Sequence, residues 1–283
     1  MEKILVPYDF SEIASHALKF AVDLCRKNAS CGVTVINVIE QPTPDTIKTM
    51  GVYDYDPMEN IYMSKLIQSI KGKMENLMQT AEFKDIKLEY KIVLGNPFNE
   101  ISEEIKTQGI ELVVMGTSGA TGAEEFFVGS NAERMVRYSK CPVITVAKPY
   151  DVDKVNKIVF ASNFSDASGS FVNHVKNLQD AFDAKLYIVK INTPSSFTTT
   201  RHDTEVFKTF AEEHQLTNYE FQSYNFNNEE DGIIAYAEDI EADMIALGTR
   251  QRKGIGHFFS GSIAEDIVNH AKVPVWTFGL DVK

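Results

Sequence analysis

The sequence predicts an α/β protein of two similar domains, each built on a parallel sheet with helices on both faces. Three observations lead to this fold class. Short apolar runs that are typical of buried strands alternate with helical segments along the chain. Motifs of the first half recur in the second. Finally, 283 residues with 43% apolar side chains are enough for two hydrophobic cores of ordinary size.

The first strand and helix set the pattern for the rest. The apolar run Ile4–Tyr8 ends before Asp9, and Ser11 stands where a helix N-cap is expected. After Ser11, apolar residues recur three and four positions apart as far as Cys25, which predicts an amphipathic helix. A strand followed by a helix is the unit from which parallel sheets with right-handed crossovers are built.

Four further strands are predicted in the first half. The run 33–39 is β-branched and almost entirely apolar, as expected for a strand covered on both faces. The stretch 41–57 contains prolines and no clean period, so it is predicted to be an irregular excursion. A long helix is predicted over 59–80, with Ile61, Leu66, Ile67, Ile70, Met74 and Leu77 facing inward. The remaining strands are predicted at 88–93, 112–115 and 143–146, with a helix around Ile101 and Ile105.

A glycine-rich segment lies between the fourth strand and the next helix. Two residues separate Gly116 from Gly119, and nine more precede Gly129 and Ser130, which open a helix. Glycine lets a backbone approach a ligand closely, and the free N–H groups of a first helical turn attract an anion. The segment therefore favours phosphate binding, although a purely structural loop with a serine cap would use the same residues.

A second copy of this segment begins at Gly248, 132 residues later (248 − 116), and ends in Gly261 and Ser262. Each copy is followed by a proline and a β-branched strand. The start of the second half, 157–165, aligns with 3–11 at an offset of 154, so the first copy holds 22 additional residues (154 − 132) before its glycine segment. The chain is a tandem repeat, and we expect domains at 1–148 and 154–283.

The spacing Gly116-x2-Gly119-x9-Gly129-Ser130 resembles the nucleotide-binding signature G-x2-G-x9-G-[S/T] of the universal stress protein family. The resemblance covers essentially the whole chain. It implies two adenine nucleotide alpha hydrolase-like domains, related to flavodoxin-like and Rossmann-like folds, each with a five-stranded parallel sheet. It also implies that the last strands of the two halves pair within the chain as an intramolecular pseudo-dimer, and it leaves open a further homodimer.

The resemblance further implies an ATP site in the first half, with AMP or ADP as alternatives. The residues that it assigns are Pro7, Asp9, Val38, Met115, Gly116, Gly119, Gly129, Ser130 and Asn131. The aspartate and the backbone of the valine would hold the adenine, Met115 and Gly116 would border the ribose, and the remaining glycines and helix start would receive the phosphates. Asp9 could instead serve only as a helix cap beside Ser11. Because the first glycine loop has no Lys or Arg, Mg²⁺ is expected to help neutralise the phosphates.

The second copy departs from the signature at two important positions. Asn163 stands in place of Asp9, and Gln251 stands in place of Gly119. A side chain at 251 hinders close approach of the backbone to a ligand. Basic residues in the same loop, which could hold a smaller anion or simply face solvent, are Arg250, Arg252, Lys253 and His257. We therefore expect only the first copy to bind ATP well.

Composition argues against several other classes. The net charge is −12, divided as −4 over 1–150 and −8 over 151–283, which does not suit a nucleic-acid partner. Neither a signal peptide nor a run of about 18 apolar residues is found, so we expect a cytoplasmic protein without a membrane partner.

The cysteines Cys25, Cys31 and Cys141 are expected to be buried thiols, with a Cys25–Cys31 redox pair as the less favoured alternative.

The sequence contains little that points to catalysis. Both G-x4-G-K-[ST] and a G-x-G-x-x-G after a first strand are absent, and the six histidines have no spacing that suggests a metal cage. We therefore expect no catalytic residue and no protein-held metal. The predicted function is that of a nucleotide-dependent stress-response regulator with an unknown protein partner. The alternatives are a nucleotide-independent scaffold, which would dock through its acidic surface or the 41–57 excursion, and a weak ATPase.

Overall fold

The computed structural model of the chain describes residues 1–40, 57–117, 129–164, 169–250 and 262–280. The strands are β1 (Lys3–Pro7), β2 (Gly32–Ile39), β3 (Lys87–Leu94), β4 (Leu112–Gly116), β5 (Val143–Val146), β6 (Lys157–Ala161), β7 (Lys185–Asn192), β8 (Tyr219–Asn225), β9 (Met244–Arg250) and β10 (Val275–Leu280). The helices are α1 (Glu12–Arg26), α2 (Pro57–Met78), α3 (Pro97–Gln108), α4 (Ser130–Tyr138), α5 (Gly169–Phe182), α6 (Thr200–Glu213), α7 (Glu229–Asp239) and α8 (Ser262–His270).

Within these residues the ten strands form one sheet in the order β3-β2-β1-β4-β5-β10-β9-β6-β7-β8. Every neighbouring pair is parallel except β5 and β10, which run antiparallel. Each half therefore contributes five parallel strands in the same order, which confirms the predicted fold class. The pairing of the last strands, expected from the resemblance, is also confirmed: Trp276 lies opposite Ile144.

The predicted strands agree with the structure to within about three residues at each end, which is close to the usual uncertainty of such boundaries. The long second helix begins at Pro57 rather than at residue 59. Of its residues predicted to face inward, Met74 is fully buried, but Ile61 is 51% exposed. The prediction for Ile61 is wrong because the apolar face of this helix packs against the sheet only toward its C-terminal end. Of the excursion predicted over 41–57, residues 41–56 lie outside the described residues.

The sheet is covered on both faces, as its nearly continuous apolar strands require. One face carries α1, α2, α5 and α6 over a single core that runs through both halves. The other face carries two smaller cores, one beneath α3 and α4 and one beneath α7 and α8. Because side chains alternate along each strand, consecutive residues of β1 such as Ile4 and Leu5 belong to cores on opposite faces.

Contacts on both sides of the sheet hold the two halves together. On one face, Phe20 of α1 and Phe182 of α5 have ring centroids 6.2 Å apart. On the other face, the Thr249 hydroxyl donates to the Val136 carbonyl at 3.2 Å. Joining β5 to β10 also hides two strand edges that would otherwise expose unpaired backbone groups.

The segment between β5 and β6 packs closely against the second half. Val152 and Val155 are buried in the core that both halves share. The backbone N–H groups of Asn156 and Lys157 both donate to Asp243, each at 2.9 Å. The linker is therefore part of the junction rather than a free tether.

The prediction of reduced thiols at Cys25 and Cys31 is wrong in this structure, because the two residues form a disulfide. The last turn of α1 and the turn before β2 bring their Cα atoms to 5.3 Å, within the range that a disulfide spans. Cys141 is free and buried, as expected, and burial raises the pKa of its thiol to about 12. That thiol is therefore protonated and unreactive at neutral pH.

Replacing Phe20 by alanine tests the contact between the halves. Phe20 is fully buried, so Phe20→Ala is expected to lower the free energy of unfolding by about 3 to 5 kcal/mol. Urea denaturation followed by circular dichroism measures the change. Phe197→Ala is the matched control, since Phe197 is 68% exposed and its loss should have little effect. Equal effects of the two substitutions would show that the α1–α5 contact does not stabilise the protein.

Candidate functional site

The carboxyl ends of β1, β2 and β4 lie side by side, at the edge where parallel sheets commonly place their ligands. Ile4 is opposite Leu112 and Leu5 is opposite Val113, so β1 and β4 end at the same level. Pro7 is opposite Ile36, which places Val38 two residues beyond the end of β1. The sheet therefore brings the described site residues on these strands to one edge.

Side-chain hydrogen bonds fix the turn that joins β1 to α1. The Ser11 amide donates to the Asp9 carboxylate at 3.0 Å, and the Ala14 amide donates to the Ser11 hydroxyl at 3.1 Å. Asp9 is exposed, so its carboxylate serves the turn into α1 and also faces solvent at the sheet edge. The capping role that the sequence left as an alternative is thus present, and it leaves room for a ligand role.

Phe10, in the middle of this turn, has a φ of 67°, in the left-handed region that residues other than glycine seldom adopt. Phe164 has a φ of 64° at the corresponding position of the second half. Since both halves share the conformation, it belongs to the strand-to-helix turn of this fold and does not by itself mark a ligand.

Asn37 of β2 also stabilises the turn between β1 and α1. Its side-chain amide donates to the Tyr8 carbonyl at 2.8 Å, one residue before Asp9. Asn37 is 7% exposed, and its side-chain oxygen has no hydrogen-bond partner among the described residues. Asn37 is not among the site residues predicted from the sequence. The available signal was a polar side chain inside an otherwise apolar strand, because buried polar groups are kept where they make specific hydrogen bonds.

The fourth strand contributes backbone rather than side chains to the edge. The Met115 side chain is only 4% exposed and packs in the core beneath α3 and α4. Val38 is half-buried against the same core. Gly116 is the last residue of β4 and pairs with Val146. Any contact of Met115 with a ligand at this edge is therefore expected to come mainly from its backbone.

A short hydrogen bond joins the start of α4 to the end of β4. The Gly129 amide donates to the Thr117 carbonyl at 2.7 Å, and the Glu133 amide donates to the Gly129 carbonyl at 3.0 Å. Gly129 is the N-cap residue, with a φ of −61° and a ψ of 145°. Because its own amide is engaged, the donors of the first turn are those of Ser130, Asn131 and Ala132, which helix geometry leaves without intrahelical acceptors.

The N-cap of α4 differs from the N-caps of the other α-helices whose caps the structure describes. Side-chain oxygens of Ser11, Asn96, Thr199 and Asn228 accept from first-turn amides of α1, α3, α6 and α7, respectively. Glycine at 129 has no such oxygen. Within the described residues no side chain caps this helix, so its positive end suits an external acceptor such as a phosphate. Gly119 lies outside the described residues, as do the rest of the loop over 118–128 and the second-copy positions Gln251 and Gly261.

The corresponding edge of the second half is built differently. Lys190 follows Val189 in β7 just as Asn37 follows Ile36 in β2, so the two occupy the same register position. Instead of holding the turn after β6, the Lys190 ammonium pairs with Asp203 of α6. Asp203 also accepts from the hydroxyls of Thr198 and Ser223, both at 2.6 Å.

The ionisation of Asp203 depends on its burial and on the groups that donate hydrogen bonds to it. Burial alone would raise the pKa of Asp203, but hydrogen bonds from Lys190, Ser223 and Thr198 outweigh it and lower the pKa below its ordinary 3.8. A lowered carboxyl pKa stabilises the fold at pH values above the ordinary one, and this contribution is lost as the pH falls through the folded-state value. The second half thus uses this edge for an internal ion pair.

Within the described ranges, no group of three or more His, Cys, Asp or Glu side chains could hold a metal ion. In the same ranges, no helix is long and apolar enough to cross a membrane.

Comparisons with known proteins agree with this architecture. The model described as the universal stress protein family matches residues 1–147 and 154–278. Universal stress protein MJ0577 of Methanocaldococcus jannaschii is 30% identical over 158 residues, which cover 52% of this chain and 95% of that protein. Universal stress protein YxiE of Bacillus subtilis is 28% identical over 148 residues, covering 51% and 97%.

A solved structure extends the similarity to both halves at once. The universal stress protein from Archaeoglobus fulgidus superposes with a TM-score of 0.75, covers 99% of this chain and 98% of its own, and is 19% identical. At that identity the likeness concerns the fold. The relatives that match one half and the structure that matches both are consistent with a duplicated domain.

Replacing Asp203 by asparagine tests the network in the second half. Asp203 is 1% exposed, so Asp203→Asn leaves the Lys190 ammonium without its counter-ion and should lower the free energy of unfolding by roughly 3 kcal/mol at neutral pH. Urea denaturation at neutral pH and at acid pH measures this effect. The difference from wild type should shrink in acid, where Asp203 becomes protonated. A difference that does not depend on pH would contradict the ion-pair explanation.

Proposed function

Because the chain belongs to the universal stress protein family, we propose that its first half binds ATP at the carboxyl edge of β1, β2 and β4. The bound nucleotide would regulate how the protein engages a protein partner. AMP and ADP share the adenosine part and remain alternatives. The observation that carries the proposal is the glycine N-cap of α4, anchored beside the end of β4 by the hydrogen bond from Gly129 to Thr117.

Three groups of residues would contact the phosphates, the adenine and the part of the nucleotide between them. The first-turn amides at Ser130 and Asn131 would receive phosphate oxygens, because they point along the positive end of the helix dipole. Asp9 and the backbone near Val38, at the same level of the sheet, would contact the adenine. Pro7, Met115 and Gly116 would line the space between them, and Gly119 would complete the phosphate loop.

Magnesium would reach the site with the nucleotide. The phosphates would supply most of its ligands, since the described residues contain no acidic cluster of their own at this edge. We propose no catalytic role for any residue, and slow hydrolysis of bound ATP is the alternative that turnover measurements would reveal. The second half, with Asn163 and the Lys190–Asp203 pair at its edge, is proposed not to bind ATP.

A cap substitution tests the proposed phosphate site. Gly129→Asp places a carboxylate where it accepts from the first-turn amides and repels phosphate, so ATP affinity should fall by at least about tenfold, or ~1.4 kcal/mol. The thermal midpoint should stay the same or rise, because aspartate is a good N-cap residue. Isothermal titration calorimetry with ATP and Mg²⁺ gives the affinity.

Gly129→Ala is the matched control, because alanine tolerates the φ of −61° and adds no acceptor. Its ATP affinity should stay close to wild type. Unchanged affinity in Gly129→Asp would show that the phosphates bind elsewhere. Absence of ATP binding in the wild-type protein would instead favour the nucleotide-independent scaffold.

A further inference from the structure

The disulfide between Cys25 and Cys31 is a covalent feature that the proposed nucleotide site does not use. Cys25 lies in the last turn of α1, and Cys31 directly precedes β2. Both side chains are buried, at 2% and 6% exposure, whereas most of the residues between them are exposed. The bond therefore closes a short surface turn, residues 26–30, which we call the α1–β2 turn.

The tandem repeat shows how the same helix-to-strand junction is held without a covalent bond. Gln179 of α5 corresponds to Cys25 under the repeat offset of 154 (179 − 25), and Ala184 corresponds to Cys31 because each directly precedes the second strand of its half. The Gln179 side-chain amide donates to the Ala184 carbonyl at 3.2 Å and to the Thr217 carbonyl, before β8, at 3.1 Å. This fold therefore does not need a disulfide at the junction.

Hydrogen bonds shape the α1–β2 turn independently of the sulfur atoms. The Asn28 amide donates to the Cys25 carbonyl at 3.0 Å, and the Cys31 amide donates to the Asn28 carbonyl at 2.9 Å. The Asn28 side chain also donates to the Met1 carbonyl at 2.9 Å. Because these bonds use only backbone and amide groups, reduced and oxidised cysteines can share the same turn. Breaking the disulfide would then increase the freedom of the turn without unfolding the domain.

The α1–β2 turn also contacts the linker between the two halves. The Lys27 ammonium pairs with the Asp153 carboxylate at 3.2 Å and lies 5.9 Å from the centroid of the Phe182 ring of α5. Asp153 belongs to the short helical turn Val152–Lys154 of the linker. A change in the freedom of the α1–β2 turn therefore acts at the junction between the halves.

We propose that Cys25 and Cys31 form a reversible redox site for small-molecule thiols and disulfides, and that its oxidation state controls the mobility of the α1–β2 turn. Because both sulfurs are buried, exchange requires transient opening of this turn. The site lies at the end of α1, away from the carboxyl edge of the strands, so the inference does not depend on nucleotide binding.

Glutathione serves as the test reagent, and the reduction is a two-step thiol–disulfide exchange. One glutathione thiolate attacks a sulfur of the pair, breaks the bond between Cys25 and Cys31, and forms a mixed disulfide. A second glutathione thiolate attacks the glutathione sulfur of this mixed disulfide and releases the cysteine. The protein gains two electrons and two protons and ends with two thiols, while the glutathione is oxidised to its disulfide. Oxidation is the reverse of these steps.

Alkylation of protein equilibrated in glutathione buffers tests reversibility. The folded chain is held at defined ratios of reduced to oxidised glutathione, quenched in acid, denatured, labelled with N-ethylmaleimide and weighed by mass spectrometry. One label, on Cys141, is expected at the oxidised end and three labels at the reduced end. Circular dichroism should be the same in both states. A pair that resists reduction until the protein unfolds, or that stays reduced in oxidised glutathione, would overturn the proposal.

Amide hydrogen exchange tests the effect on the α1–β2 turn. Reduction should speed exchange in peptides that cover this turn by roughly tenfold, because the loop that the disulfide closes regains conformational freedom. Peptides that cover 180–184 are the internal control. They should exchange equally in both states, since that turn contains no cysteine.

Two variants, checked for folding by circular dichroism, complete the test. The double variant Cys25→Ala with Cys31→Ala should exchange at the fast rate in both buffers. Cys141→Ala should respond to reduction like the wild type, because Cys141 is not part of the pair. Equal exchange of the α1–β2 turn in oxidised and reduced wild-type protein would overturn the proposal, and so would a redox response that persists in the double variant.

Discussion

The hydrogen bond from the Gly129 amide to the Thr117 carbonyl, 2.7 Å long, is the contact on which the proposed site depends. It fixes the start of α4 beside the end of β4 and leaves the amides of the following turn facing the sheet edge. The residue at the cap has no side chain, so among the described residues these donors have no capping side chain of the kind that α1 and α3 have. The carboxyl ends of β1 and β2 lie at the same edge and add the Asp9 turn, which Asn37 supports from inside the sheet.

The two halves share one fold but differ in the side chains at this edge. Both have the same strand order and the same left-handed residue after the first strand, at Phe10 and Phe164. They differ in the polar residue of the second strand. Asn37 supports the turn in the first half, whereas Lys190 is committed to a buried ion pair with Asp203 in the second. The strand order therefore does not distinguish the two halves, whereas a few side chains at the strand ends do.

Periodicity and repeats predicted the architecture well, because strands covered on both faces leave long apolar runs and the repeat indicated two equivalent halves. The pairing of the last strands was implied by the family resemblance. Local sequence left the Cys25–Cys31 pair as the less favoured alternative, because the two residues become neighbours only when α1 packs beside β2. It also wrongly predicted that Ile61 faces inward, because the periodicity of a helix does not show where the sheet beneath that helix ends. At the site, the glycine cap could be located from spacing, but the supporting role of Asn37 required the register of β1 against β2.

The central claim is that first-turn amides of α4 bind the phosphates of a nucleotide, and amide chemical shifts test it most directly. Nuclear magnetic resonance spectra of ¹⁵N-labelled protein would be recorded during titration with ATP and, separately, with adenosine. If the phosphates bind there, the amides of Ser130, Asn131 and Ala132 should shift much more with ATP than with adenosine, while those of Ser262 and Ile263 at the start of α8 stay in place. Equal shifts with both ligands, or none at α4, would contradict it.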